Sequence, residues 1–412
     1  MSRIDDLIER FCLDGVEYKA LGEVGEFFRG TSFQKKHFVE KGIPCVHYGQ
    51  LYTHYKLYAH ETRSFLGDEF VGAKGIAKTG DLIIATTSEN EEDVCKAMAW
   101  LGEADVVVSN DACIYRHVLD PKYVAYFFQS NQFQVAKRPF ITGTKVLRVS
   151  GANMAKIRIP VPPMEVQEEI VRVLDSFAEL EAELEAELEA RRRQYAYYRD
   201  VLFSEGDCVE LADVLLDLRT GLNPRKNFQL NTPGAEGYYV TVRELSGKTV
   251  QFGEKTDRVS AEALSLINNR SKLKRGDVLM SGTGTVGRTA YVESDPDCWN
   301  IKEGVYAITV DSARLLPMYL LHFLHSRRAV AQLESFAEGG TVVSVSMSKL
   351  KRLKIPLPSI EEQGRVVRLL DRFDALVNDI TQGLPAEIEA RRKQYEHYRD
   401  RLLDFPSKEI CE

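Results

Sequence analysis

Gly282-Thr-Gly-Thr-Val-Gly287 follows a strand-like run and has the G-x-G-x-x-G spacing with which a glycine-rich turn brings backbone amides against a pyrophosphate. That fingerprint needs a helix to open directly after it, whereas Arg288-Thr-Ala-Tyr-Val continues as a strand, so a glycine-rich β-turn is the better reading. His322 and His325 stand three apart on a helix, as metal ligands can. No carboxylate or third histidine is near them in sequence, so they read as packing or phosphate-contact residues. No G-x-x-x-x-G-K-[ST] loop occurs, and no Ser, Cys or Thr lies in a recognisable nucleophile motif. The only Pro-Pro, Pro162-Pro163, is not the Asn/Asp-Pro-Pro-aromatic motif of amino-group DNA methyltransferases. Seven cysteines, far apart and without C-x-x-C, suit neither a zinc ribbon nor a disulfide framework. The expectation is a chain with no catalytic group, no metal and no cofactor of its own.

The residues that suit a polyanion are clustered. Lys plus Arg number 54 against 61 Asp plus Glu, a net of -7, yet Pro121 to Met164 holds seven basic residues and no acid. Ser312 to Ile360 again holds seven, against Glu334 and Glu338, while Glu165 to Phe203 carries eleven acids and five bases. The negative excess thus sits on one element and leaves two basic zones to meet an anionic partner. Gly143-Thr144-Lys145-Val-Leu-Arg148 and Gly340-Thr341-Val-Val-Ser lie at similar places, flanked by Lys137-Arg138 and Arg327-Arg328. The early loops Arg29-Gly-Thr-Ser-Phe-Gln-Lys35-Lys36 and Arg219-Thr-Gly-Leu-Asn-Pro-Arg225-Lys226 repeat the combination. Glycine lets backbone approach a phosphate, Thr and Lys donate to it, and Arg can make two bonds to guanine.

These residues must be positioned by two copies of one design. Ile159-Pro-Val-Pro-Pro-Met-Glu-Val-Gln matches Ile355-Pro-Leu-Pro-Ser-Ile-Glu-Glu-Gln at an offset of 196, and Glu189-Ala-Arg-Arg-Arg-Gln-Tyr matches Glu389-Ala-Arg-Arg-Lys-Gln-Tyr at 200. One helix would thus have gained four residues, near one turn. Lys78-Thr-Gly-Asp and Lys274-Arg-Gly-Asp are weaker echoes. Before each I-P-x-P, short apolar runs alternate with turns and one helical stretch, which predicts a mixed α+β globule. After it, Leu180, Leu184 and Leu188 in one copy and Ile380, Leu384 and Ile388 in the other continue coiled-coil stripes. About 39 helical residues make a rod of roughly 58 Å, with a globule expected near each end. Between Ala178 and Glu189 run three A-E-L-E units, whose period of four acts as a run of stutters. With 412 residues, 44% of them hydrophobic, the chain can bury real cores, and no apolar run reaches the roughly 18 residues of a membrane span. Because the start is acidic and amphipathic where a signal peptide would be basic and then apolar, the expected location is the cytoplasm.

The hinge motifs, Gly383-Leu-Pro-Ala-Glu-Ile-Glu-Ala-Arg-Arg-Lys-Gln-Tyr, both Tyr-Arg-Asp-x-Leu endings and the A-E-L-E run resemble the specificity subunits of type I restriction-modification systems, most closely the IC subgroup with its T-A-E-L repeat. The resemblance covers the whole chain. It implies two α/β target-recognition globules at 20–163 and 206–359, each reading half of a bipartite asymmetric site in double-stranded DNA. Coil helices at 164–205 and 360–412 would form a long antiparallel two-helix coiled coil, and the N-terminal segment 1–19 would complete a circular repeat. It further implies a subunit without enzymatic activity that recruits two modification subunits, which use S-adenosylmethionine, and through the complex restriction subunits, which use ATP and Mg. The competing readings are a nucleotide-binding enzyme built on Gly282 to Gly287 and a coiled-coil scaffold with no DNA role.

Overall fold

The computed structural model describes residues 3–224, 227–339, 343–379 and 381–408. Two compact units divide it: Met1–Leu184 with Ile388–Glu412, and Glu185–Glu387.

In the first unit the central sheet orders its strands Gly25–Arg29, Ala112–His117, Leu82–Ala85, Ala97–Trp100 and Tyr58–Ala59. A second five-stranded sheet joins Phe38–Val39, Ser64–Leu66, Ile43–Val46, Val106–Val108 and Ile76–Ala77. The continuous apolar run from Leu82 follows from burial of both faces of the central sheet. Leu82 and Ile84 point into one core with Tyr115 and the helix Pro121–Gln129, while Ile83 and Ala85 point into another with Ile114 and Trp100. The second unit repeats this 196 residues on: Val278 and Met280 face one core with Tyr306 and Ile308, and Leu279 faces another with Ala307. The two aspartate echoes make the same turn. Gly80 and Gly276 adopt φ of +92° and +95°, and the Asp81 and Asp277 carboxylates accept the Lys78 and Lys274 amides at 2.8 and 3.0 Å. Both carboxylates are buried and ion-paired, Asp81 to Arg116 and Asp277 to Arg219.

The I-P-x-P segments form ribbons. Arg158–Pro160 pairs with Tyr18–Ala20, and Lys354–Pro356 with Cys208–Glu210. Gln167 and Gln363 then bury an amide that accepts the Asp120 or Leu316 N–H and donates to the Pro162 or Pro358 carbonyl. The Pro-rich segment's lost backbone partners are thereby replaced. From there the helix Met164–Leu202 runs for 39 residues, through Leu184 in the first unit and from Glu185 in the second. The second copy is not continuous: Ile360–Asn378 and Leu384–Leu402 are separate helices of 19 residues each. The expected extra helical turn is therefore corrected. Pro385 cannot continue a helix, and a Cβ on Gly383 would come within 2.5 Å of the Ala375 carbonyl, so one helix ends at Asn378 and another opens at Leu384. Ile380 lies outside the described residues. Leu180, Leu184, Leu188 and Leu384 are half-buried and Ile388 is buried.

Within the first unit the coil is antiparallel: Phe177 stacks on Tyr398 at 5.3 Å and Glu181 accepts from Arg392 at 2.8 Å. In the second, Tyr195 and Tyr198 stack on Phe373. Neither pair stands apart from its globule, since Val166, Ile170 and Leu174 are wholly buried among the first unit's core residues. The N-terminal helix Arg3–Phe11 joins that core, and Val16 exchanges backbone bonds with Pro406 and Lys408 at 2.9 and 3.0 Å.

Histidine burial makes stability pH-dependent. His117 in one unit and His325 in the other are held down to about 4 by desolvation, His325 further by nearby Arg199 and His322. An unfolded histidine titrates near 6.5. Between those values the unfolded chain binds protons the folded chain refuses, so this stability is complete above pH 6.5 and lost as pH falls toward 4. Melting temperature should drop between pH 7.5 and 5, by the equivalent of about 1–3 kcal/mol per histidine. His325→Gln, which installs the residue found at the equivalent Gln129, should flatten the drop; an unchanged pH slope in that variant would refute the assignment.

Candidate nucleic-acid interface

Two hairpins occupy matching places. Thr142 and Arg148 exchange backbone bonds of 2.9 and 2.8 Å, and Glu338 and Ser344 do so at 2.8 Å each. Gly143 and Gly339 follow with φ of +99° and +114°, again 196 residues apart. The structural counterpart of Gly143 is thus Gly339, one residue before the Gly340 that sequence similarity suggested. At Gly143 a Cβ would lie 2.2 Å from the Val146 carbonyl, so a side chain would open the loop. Each hairpin is fastened just beyond a buried strand, Arg148 pairing with Thr87 after Leu82–Ala85 and Ser344 with Thr283 after Val278–Ser281.

Beside each hairpin lies a cleft. In the first unit it encloses about 580 Å³ and is lined by Arg29, Arg148, Asn110, Asp111 and Asn153, with Phe27 and Phe28. Arg29 and Arg148 are exposed, and neither guanidinium makes an ion pair among the described residues. In the second unit the cleft encloses about 1070 Å³, with Thr283 and Ser344 again on its wall and Arg243, Arg270, Lys302 and Glu303 around it. Arginine forks with amide and carboxylate acceptors in one recess can read donor and acceptor edges of a base as well as hold a phosphate.

Of the residues expected to bind DNA, Arg29 and Arg148 share the first cleft, and Thr144 and Lys145 are exposed at the hairpin tip beside it. Lys35 and Lys36 are exposed on the single-turn helix Lys35–His37, which leads into the second sheet. Arg138 is exposed and pairs with Glu91 at 2.8 Å. Lys137 is different: it is wholly buried and its ammonium donates to the Glu92 and Val94 carbonyls at 3.1 and 2.7 Å. It therefore anchors a loop and is not a surface charge. Arg327 and Arg328 also differ from the expected flanking role. They open the helix Arg327–Phe336 against the end of the long helix, with the Arg327 amide on Asp200 and the Arg328 guanidinium on the Phe203 and Ser204 carbonyls. Their counterpart in the first unit is the Asn131 amide on Asp400, not Lys137-Arg138. Arg225, Lys226 and Thr341 lie outside the described residues. Arg219 is only 11% exposed and committed to Asp277.

Arg243, Arg270 and Lys302 were not anticipated. A signal existed for Lys302, a basic residue directly after the short strand Trp299–Ile301, where Ser109 follows Val106–Val108 in the first unit. None existed for the other two, which come from different elements.

The glycine loop supports no nucleotide. The Gly282, Gly284 and Gly287 amides already donate to the Gly304, Val343 and Ser281 carbonyls at 2.7 to 2.9 Å, and the strand Thr289–Tyr291 follows. His322 and His325 are held by Asp371 at 2.8 Å and the Thr289 hydroxyl at 2.7 Å. Among the described residues no cluster of His, Cys, Asp and Glu suits a metal ion, and no helix is long and apolar enough to cross a membrane.

Comparison with known proteins gives a consistent answer. Residues 14–190 and 207–390 each match the type I restriction modification DNA specificity domain. A putative type I restriction enzyme specificity subunit of Haemophilus influenzae is 36% identical over 280 residues, covering 65% of this chain and 69% of that protein. The EcoR124I/EcoR124II specificity subunit of Escherichia coli is 34% identical over 303 residues, 70% of this chain and 72% of that one. The fold is shared with the HsdS subunit from Thermoanaerobacter tengcongensis, at a TM-score of 0.54 and 18% identity over 95% of this chain and 97% of that one. It is shared also with a chain from a study of assembly and conformational transition in the type I R-M system, at a TM-score of 0.65 and 19% identity over 94% and 97%. With the domain matched once in each half, over most of its length, this chain belongs to the type I restriction-modification DNA specificity family.

Proposed function

We propose that this chain is the non-catalytic DNA-reading subunit of a cytoplasmic type I restriction-modification complex. Each unit reads one half of a bipartite duplex site through its cleft and hairpin, and the coil helices set the spacer. Two modification subunits dock on the coil and bring restriction subunits with them, and S-adenosylmethionine and ATP act on those partners. The observation that carries this reading is the recurrence of an arginine-bearing cleft at the same place in both halves, with different arginines in each. Equivalent frames with unlike walls are what an asymmetric two-part site requires. The A-E-L-E run favours the IC subgroup.

In complex with the modification subunits, affinity for the two-part site should fall by about a hundredfold or more between 50 and 200 mM salt. A flat salt profile would remove phosphate neutralisation as a source of binding. Arg148→Ala should weaken binding by about 1–3 kcal/mol and relax one half-site only. Arg328→Ala, by contrast, should lower the melting temperature and leave the methylated motif intact. Equal loss of discrimination at both half-sites in either variant would contradict independent reading.

Deleting Ala182 to Glu185 brings an identical A-E-L-E unit into its place, so the half-buried leucine stripe continues. The helix shortens by about 6 Å and its far end rotates by about 40°. One base pair advances about 3.4 Å and turns roughly 34°. Mapping methylated adenines should therefore show both half-sites unchanged and a spacer one base pair shorter; an unchanged spacer would reduce the run to a solvated helix face.

A further inference from the structure

We propose that Arg243 is a specificity-determining residue of the second unit, reading a guanine in its half-site, and that Asp257 is the positioning residue that aims it. The inference rests on the reading above and goes beyond it by assigning one base contact.

Arg243 sits in the short turn Val242–Glu244, capped by Thr241 and facing the second cleft. Its side chain is 53% exposed, yet the guanidinium is not loose. Nη2 donates to the Asp257 carboxylate at 2.8 Å and Nε donates to the Thr241 hydroxyl at 3.3 Å. Asp257 is in turn fixed by the Asn231 side-chain amide at 2.9 Å, and it opens the strand Asp257–Val259. These bonds use one flank of the fork and leave both Nη1 hydrogens and one Nη2 hydrogen. That remaining end presents two parallel donors, the pair that guanine O6 and N7 accept in the major groove. A phosphate needs no such aim, and a free guanidinium would lose more rotamer freedom on binding than one already held by a carboxylate. Sequence pairing offers no counterpart in the first unit: its equivalent turn carries Gly49, and the equivalent of Asp257 is Ser64, bonded to Gln50. Its cleft arginines, Arg29 and Arg148, stand instead on the sheet end and the hairpin. Base reading by Arg243 therefore belongs to one half-site alone.

The test uses the full chain assembled with its modification subunits, with methylated adenines mapped genome-wide for the wild type, Arg243→Ala, Arg243→Lys and Asp257→Asn. Wild type should show a two-part motif with a guanine in the half-site that Arg148→Ala leaves intact. Arg243→Ala and Arg243→Lys should both relax that guanine, lowering discrimination there by about ten- to a hundredfold, because lysine keeps the charge but not the fork. Asp257→Asn should relax the same position partially and no other. If Arg243→Ala does not assemble, Arg243→Lys carries the test. An unchanged motif in the lysine variant, relaxation at a base other than guanine, or weakening uniform across sequences would each overturn the assignment. A wild-type complex with no two-part motif would instead overturn the function proposed for the whole chain.

Discussion

In each unit one carboxylate couples the coil helix to the globule that carries the cleft. Asp175 on the long helix accepts from Lys122 at 2.8 Å and from the Tyr126 hydroxyl at 2.8 Å. Asp371, its repeat partner, accepts from Lys248 at 2.7 Å and from His322 at 2.8 Å, with Asp374 adding a second contact to that lysine at 3.1 Å. These pairs are partly screened from water, and an ionic bond with several geometric partners is worth more for fixing orientation than for net stability. Gln167 and Gln363 tie the start of each helix, and these pairs add a second directional point farther along it, where the remaining apolar contacts are not directional. The lysine and hydrogen bonds hold Asp371 below the usual carboxylate range although burial opposes this, so the clasp stays ionised at neutral pH.

The duplicated frame exchanges partners while keeping roles. The buried aspartate of the turn is neutralised by Arg116, from one strand, in the first unit and by Arg219, from the neighbouring strand, in the second, where Thr309 also donates to it. Tyr395 donates to Gln129 in the first unit, at the place His325 holds in the second. A charge buried without a partner would be very costly, so the need for a counterion is preserved while its origin drifts. The clefts are freer still, because their walls answer to a ligand and not to a core.

The four residues by which the second copy is longer illustrate a limit of periodicity. A stripe of Leu, Ile and Phe at spacings of three and four continues across 379–383, and nothing in the stripe reports an interruption. Gly383 and Pro385 do report it: one accepts close backbone approach and the other lacks the N–H that a helix interior needs.

The duplication, the alternation of globule and coil, the hinge motifs and the family were legible in the sequence, because each is carried by local spacing or by matching residue strings. The first cleft was half legible: Arg29 and Arg148 were marked by their loops, and the fold brings them together. The second was not. Arg243, Arg270 and Lys302 come from a turn, a helix and a strand end, and only the sheet register puts them around one recess. Lys137 and Arg328 look like surface charges in a string of letters. Whether a long cation reaches solvent or a buried carbonyl depends on what packs over its stem, and that is settled by segments up to 125 residues away.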